Sequence, residues 1–266
     1  MIIEIFVLKL LITVLTVLLL SIIAEKVSPK VAGIISGYPT GTAISLFFFG
    51  FEISSEFASQ SAVHNMLGQT AALVFLYLYY KSSVLFTKRT VVYSSVVSVL
   101  GYLMSIYLLN LLKIDIIGAF LITLSAIVIS TYLFKEIKDV VLQKIVKLNT
   151  TTLILRGLIA SSIILFITEI AKFVGTEWAG LFSAFPTTVF PLILIIHLTY
   201  GKEQVHSIIK NNPRGNIALV FYSLSVAIFY PVYGIYAGTF VALVFAVFVS
   251  VVHEFIRITV AKKASN

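Results

Sequence analysis

VAGIISGYPTGTA, residues 31–43, and WAGLFSAFPTTVF, residues 178–190, can be laid over one another at an offset of 147 positions. Ala32, Gly33, Ser36, Pro39 and Thr40 then meet Ala179, Gly180, Ser183, Pro186 and Thr187. Without a gap, the same offset pairs Glu56 with Glu203, Asn65 with Asn212, Gly68 with Gly215 and Ala71 with Ala218; upstream it pairs Leu8 and Lys9 with Leu155 and Arg156. One unbroken register over two helices and their loops marks an internal repeat.

The chain that carries this repeat has 266 residues, 59% of them apolar and 11% charged, with a mean hydropathy of +1.07. Such a composition belongs in a lipid bilayer, not in a soluble domain. Apolar runs bounded by charge or turn residues predict nine membrane-spanning helices near 5–24, 31–51, 62–80, 91–112, 115–134, 153–173, 178–200, 216–234 and 237–256. At roughly 20 residues per span these consume about 180 residues, which leaves no room for an extramembrane enzyme domain. The first run is expected to be a retained helix: Glu4 precedes any base, and no small-residue cleavage site follows.

Nine spans put the termini on opposite sides. Sixteen of the 19 Lys and Arg residues then fall on one side, and Lys9, Lys113 and Lys172 on the other. The positive-inside rule places the N-terminus outside and the C-terminus in the cytoplasm of a plasma (inner) membrane. Residues 135–152, the longest loop, carry Ile137, Val141, Ile145 and Leu148 between lysines, a spacing that suits an amphipathic surface helix.

Helices one to four correspond to helices six to nine, and the odd fifth helix turns the second copy over. The expected fold is therefore all-α: a polytopic membrane protein with two inverted four-helix repeats, residues 1–112 and 153–266, joined by a linker at 113–152. Inverted repeats give a pseudo-two-fold axis in the membrane plane and are common among transporters and channels.

The stretch AGLFSAFPTTVFPLILIIHLTYG, residues 179–201, with one helix before it and two after, resembles the GlpM family of small four-helix inner-membrane proteins. In that family a single copy carries an AGL and aromatic-Pro-Thr pattern. The likeness is clearest over 153–256 and weaker over 5–112, and two copies plus a linker helix depart from the family's plan. It implies a membrane location and a fold, without a substrate. In architecture alone, the four-one-four plan also resembles fused dual-topology fluoride channels, whose signature residues are not found here.

The chemistry is expected at the two prolines. Pro39 and Pro186 each lie about eight residues into a span, near the bilayer midplane, where proline frees a backbone carbonyl and kinks the helix. Around the first stand Ser36, Thr40, Gly41 and Thr42; around the second, Ser183, Thr187 and Thr188. These small and hydroxylated residues serve either close helix packing or a solute pathway, in which half-helix N-termini face anions and freed carbonyls face cations.

Lys9 and Arg156, equivalent in the repeat, either snorkel to the headgroups or act as an outer and an inner basic gate. Glu169 sits one turn from Lys172 and reads either as its ion-pair partner or as a coupling site, a third possible gate. His64 and Asn65 read as helix caps in an outer loop, FFFGF at 47–51 as lipid-facing bulk, and the tyrosines mostly as an interfacial belt.

There is no cysteine, HExxH, clustered carboxylate pair or Walker loop, so thiol chemistry, a metal-dependent intramembrane enzyme and an ATP-driven pump find no residues to carry them. No metal or other cofactor and no nucleic-acid partner is expected. The sequence reads as a non-enzymatic transporter of a small solute, tilted towards anions by the basic gates, with a monomer of fused repeats as the working unit. The alternative is a non-transporting accessory protein for assembly or export of an envelope polymer or lipid-linked sugar.

Overall fold

The computed structural model describes residues 2–25, 31, 34, 35, 37–138 and 150–265. Ser36 and most of the expected amphipathic segment at 135–152 lie outside them. The described residues are helical and contain no strand. Eight helices follow in order: α1 (Ile2–Glu25), α2 (Thr40–Glu52), α3 (Ser55–Leu85), α4 (Thr90–Asn110), α5 (Ile116–Leu133), α6 (Thr150–Ser183), α7 (Val189–Tyr200) and α8 (Lys202–Ser265). Four of them carry stretches long and apolar enough to cross a membrane: Thr90–Asn110, Ile116–Leu133, Leu153–Ser183 and Lys202–Arg257.

Two of the long helices turn a corner at a single glycine. Gly175 in α6 (φ 76°, ψ 173°) and Gly234 in α8 (φ 71°, ψ 179°) occupy a region of backbone space that is essentially glycine's alone. Each divides its helix into two limbs, 150–174 and 176–183 in α6, 202–233 and 235–265 in α8.

The third expected span starts earlier than hydropathy suggested, at Ser55, whose helix is capped by the Ser54 hydroxyl accepting from the Phe57 amide at 3.0 Å. The eighth starts at Lys202. His64 and Asn65 therefore stand inside α3 and do not cap it. The physical reason is that their polar turns face protein: Asn65, Gln69, Asn211, Asn212 and Asn216 are all buried, and a hydropathy window cannot tell such a turn from a loop.

Helix α3 is the hub, packed against α2, α4, α5, α6 and α8. One apolar core gathers Phe75, Tyr79, Tyr102, Leu181 and Ile193 around it, and a second gathers Phe49, Ala62, Ala179, Tyr222 and Tyr230. Two expectations are corrected here. Phe48 and Phe49 of the FFFGF stretch are core residues, and Tyr79, Tyr102, Tyr222 and Tyr230 are buried rather than interfacial. The Tyr102 hydroxyl has its polar need met by donating to the Leu181 carbonyl at 2.6 Å. Helix α5 packs on α3 and α8, where the Thr123 hydroxyl donates to the Met66 carbonyl at 2.6 Å.

Backbones touch where the broken segments meet α3 and α8. The Gly37 and Gly215 backbones are in direct contact, and at the repeat-equivalent positions, 147 on from Gly37 and 147 back from Gly215, the contact recurs between Ala184 and Gly68. A methyl group at Gly180 would overlap the Ser61 carbonyl oxygen, and one at Gly215 the Ile34 carbonyl oxygen. Gly157, by contrast, has only an ordinary contact at 3.5 Å with a Val14 methyl. Gly180→Ala and Gly215→Ala should each destabilise the protein by about 1–3 kcal/mol through forced separation of two backbones. Gly157→Ala should be neutral or stabilising, since alanine is the better helix former. Unfolding midpoints in detergent micelles check both; equal effects at all three sites would contradict the close crossing.

Candidate functional site

Both prolines are buried and both interrupt a helix. Proline lacks the N–H that would have bonded the carbonyl four residues back. At Pro39 that orphan is the Ile35 carbonyl, which the Tyr38 amide takes at 3.1 Å; at Pro186 it is the Phe182 carbonyl, taken by the Phe185 amide at 3.0 Å. The likeness continues through Thr40 N to Tyr38 O (2.8 Å) and Thr187 N to Phe185 O (2.6 Å), then through Ala43 N to Pro39 O (2.6 Å) and Phe190 N to Pro186 O (2.8 Å). All three pairs of bonds are spaced by the repeat's 147 positions, so the two breaks share one backbone design.

Beyond the breaks, α2 and α7 restart as half-helices of 13 and 12 residues. Neither N-terminus has a side-chain cap, unlike α3 and α5, which are capped by Ser54 and Asp115. The two uncapped ends meet. The Thr40 and Thr188 hydroxyl oxygens are 3.0 Å apart, the Thr42 hydroxyl donates to the Ser183 carbonyl at 3.3 Å, and Gly41 lies against the Thr187 side chain. Of the residues expected at the site, Pro39, Thr40, Gly41, Thr42, Ser183, Pro186, Thr187 and Thr188 are thus brought together.

The carbonyls freed by proline are taken back locally, and the N-termini of two helices meet at Thr40 and Thr188. Each end carries a partial positive charge from its helix dipole. Within the Thr40–Thr188 pair, one hydroxyl donates and the other keeps its own proton for a third partner. The crossing is therefore rich in donors.

A small cleft of about 40 Å³ opens beside it, lined by Thr42, Thr187, Thr188, Asn212 and Asn216, with Tyr38 and Phe185 among its apolar walls and no charged residue. Behind it runs an amide network that the sequence did not reveal. Asn65 donates to the Ser183 hydroxyl at 2.8 Å, and the Asn65 carbonyl oxygen accepts from Ser223 at 2.8 Å and from Gln69 at 3.0 Å. These bonds tie α3, α6 and α8 together. The pairing of Asn65 with Asn212 in the repeat register is its one sequence signal, masked because both positions read as loop.

The expected gates are placed differently. Lys9 is 1% exposed and does not snorkel. Its ammonium lies 2.5 Å from Glu52, 3.0 Å from Glu169 and 3.0 Å from the Thr168 hydroxyl, while Lys172 lies 2.9 Å from Glu52 and 2.8 Å from Glu169. The result is a closed, neutral ring of two lysines and two glutamates joining α1, α2 and α6. Lys9 is therefore an inward-facing, paired base and not a snorkelling one, and the Glu169–Lys172 pair stands as expected. Glu52 follows the apolar run of α2 and reads as loop in the sequence, which hides its part in the ring. Arg156 is buried in α6, away from this ring.

Among the described residues, no group of three or more His, Asp or Glu side chains is placed to hold a metal ion. No known protein family matches the chain, nor does any curated protein or solved structure. The functional reading accordingly rests on the crossing itself.

Glu52→Gln should destabilise the fold by about 3–5 kcal/mol, because it leaves the Lys9 charge buried beside a single half-exposed partner. Glu169→Gln, at a side chain 50% exposed, should cost about 1 kcal/mol or less. Denaturation of the two variants in micelles measures the difference, and a larger loss for Glu169→Gln would contradict the assigned roles.

Proposed function

We propose that the protein is an integral membrane transporter of a small solute, with anions favoured, and that the solute meets the chain where the Pro39 and Pro186 breaks cross. The observation that carries this reading is the meeting of two uncapped half-helix N-termini, at Thr40 and Thr188, beside a cleft that holds threonine and asparagine side chains and no acidic residue. Helix N-termini are ready-made anion sites, and broken helices that meet in the interior are a recurrent transporter design. The cleft, about 40 Å³, exceeds the roughly 10–15 Å³ that one water needs. It suits a small inorganic anion stripped of most of its water.

The wider layout proposed is nine spans in two inverted repeats. Residues 31–52 and 176–200 each count as one broken span, and the two limbs of α8 as two. The recurrent bonds and contacts at 147 positions support the repeat, and the odd α5 between the copies supports the inversion. The lysine and arginine bias supports an outside N-terminus and a cytoplasmic C-terminus. Rocking of one repeat against the other about the crossing would expose the cleft to each side in turn.

Flux of a panel of halides, small oxyanions, cations and neutral solutes into liposomes tests the proposal. Wild type should pass one class of small anion, and Thr40→Val with Thr188→Val should reduce that flux at least tenfold while preserving the unfolding midpoint. Flux unchanged in the double variant would remove the crossing from the pathway. A folded, inserted protein that passes no solute would favour the accessory role in envelope assembly.

A further inference from the structure

Two apolar grooves of about 380 Å³ each flank the crossing. The first runs from Thr16 of α1 past Tyr38, Pro39 and Ala43 to Leu243 and Val247 in the second limb of α8. The second runs from Ile163 of α6 past Phe185 and Phe190 to Leu103 of α4. Thr16 and Ile163, Tyr38 and Phe185, and Ala43 and Phe190 are each 147 positions apart. The grooves are therefore two copies of one feature, formed by equivalent helices.

We propose that each groove binds one acyl chain of a membrane phospholipid, and that Tyr38 and Phe185 are the partitions between these chains and the central polar cleft. The occupant follows from position and chemistry. The rims carry outward-facing apolar side chains, Leu243 and Val247 on one groove, Leu103 and Phe166 on the other, continuous with the exposed apolar surface of α4, α6 and α8. Lipid chains are the solvent of such a surface. Water has too few polar partners to fill an apolar cavity of this kind, and an unfilled one would forfeit the dispersion contacts of its whole lining. A concave groove of about 380 Å³ has room for a length of flexible hydrocarbon tail.

Tyr38 and Phe185 line both the central cleft and the groove on their own side. Phe185 is further held edge-on by Tyr102 at 5.1 Å, Phe75 at 5.8 Å and Phe190 at 5.9 Å. A chain seated in either groove thus presses on the aromatic ring that the groove shares with the central cleft, and in the first groove it also meets Thr40. The tail seals the cleft sideways, so a solute reaches it along the membrane normal. This inference rests on the membrane reading above, and its seal presupposes the proposed pathway; its test needs no flux.

The chain contains no cysteine, so single cysteines can be introduced cleanly. Thr16→Cys and Ile163→Cys variants, spin-labelled in phospholipid liposomes, should show high collision rates with molecular oxygen and low rates with a water-soluble nickel chelate. Preferential collision with the nickel chelate at either site would mean a wet groove and would overturn the proposal. Native mass spectrometry supplies the second readout. Wild type released from phospholipid micelles should retain up to two phospholipids, and Thr16→Trp or Ser162→Trp, each filling one groove at a tolerant wall position, should retain one fewer. Unchanged retention in both variants would overturn specific binding. Dry, lipid-retaining grooves in a protein without flux would sink the transport reading and leave the chain sites standing; wet grooves with flux intact would do the reverse.

Discussion

Two helix N-termini without caps, brought face to face in an apolar interior, are the constraint to which the rest of the structure answers. A proline in each segment removes one amide and stops the helix. The local turn recovers the orphaned carbonyl through the amide three residues on. What remains is a pair of restarting half-helices whose Thr40, Ala43, Thr187 and Phe190 amides are taken up by the turn itself, with the Thr40 and Thr188 hydroxyls touching between the two ends. Donors left at such ends in an apolar interior need acceptors, and in the proposed reading the solute supplies them.

Around this crossing the surrounding helices are drawn in as closely as backbones permit. Glycines at 37, 180 and 215 let α3 and α8 approach the broken segments to direct contact. The Asn65–Gln69–Ser223 network then locks α3 to α8 and to Ser183 beside the break. At the far end of α2, Glu52 enters the ring with Lys9, Glu169 and Lys172, so this half-helix is fixed at one end by hydroxyls and at the other by charge. The ring adds no net charge, and any anion preference therefore has to come from the helix ends.

Much of this architecture could be read from the chain. The register of VAGIISGYPTGTA against WAGLFSAFPTTVF located both breaks and the small and hydroxylated residues that meet there, because proline and glycine constrain the backbone wherever they stand. Hydropathy found the apolar centres of the helices but misplaced the start of α3 and of the first limb of α8. Its windows average over buried polar turns such as Asn65–Gln69, whose environment is protein and not water. Lys9 illustrates the second failure: a lone base in an apolar run looks identical whether it snorkels or pairs, and its partners Glu52 and Glu169 lie 43 and 160 positions away. The tyrosines misled for the same reason, since a phenol suits an interface or a buried carbonyl equally well.

The meeting of Thr40 with Thr188 can be measured without reference to any solute. With no native cysteine to interfere, a Thr40→Cys, Thr188→Cys double variant in liposomes should form an intramolecular disulfide under mild oxidation, seen by mass spectrometry as one peptide pair joining positions 40 and 188. Free thiols at both positions after oxidation, in a protein that retains its helicity and unfolding midpoint, would contradict the crossing and with it the site.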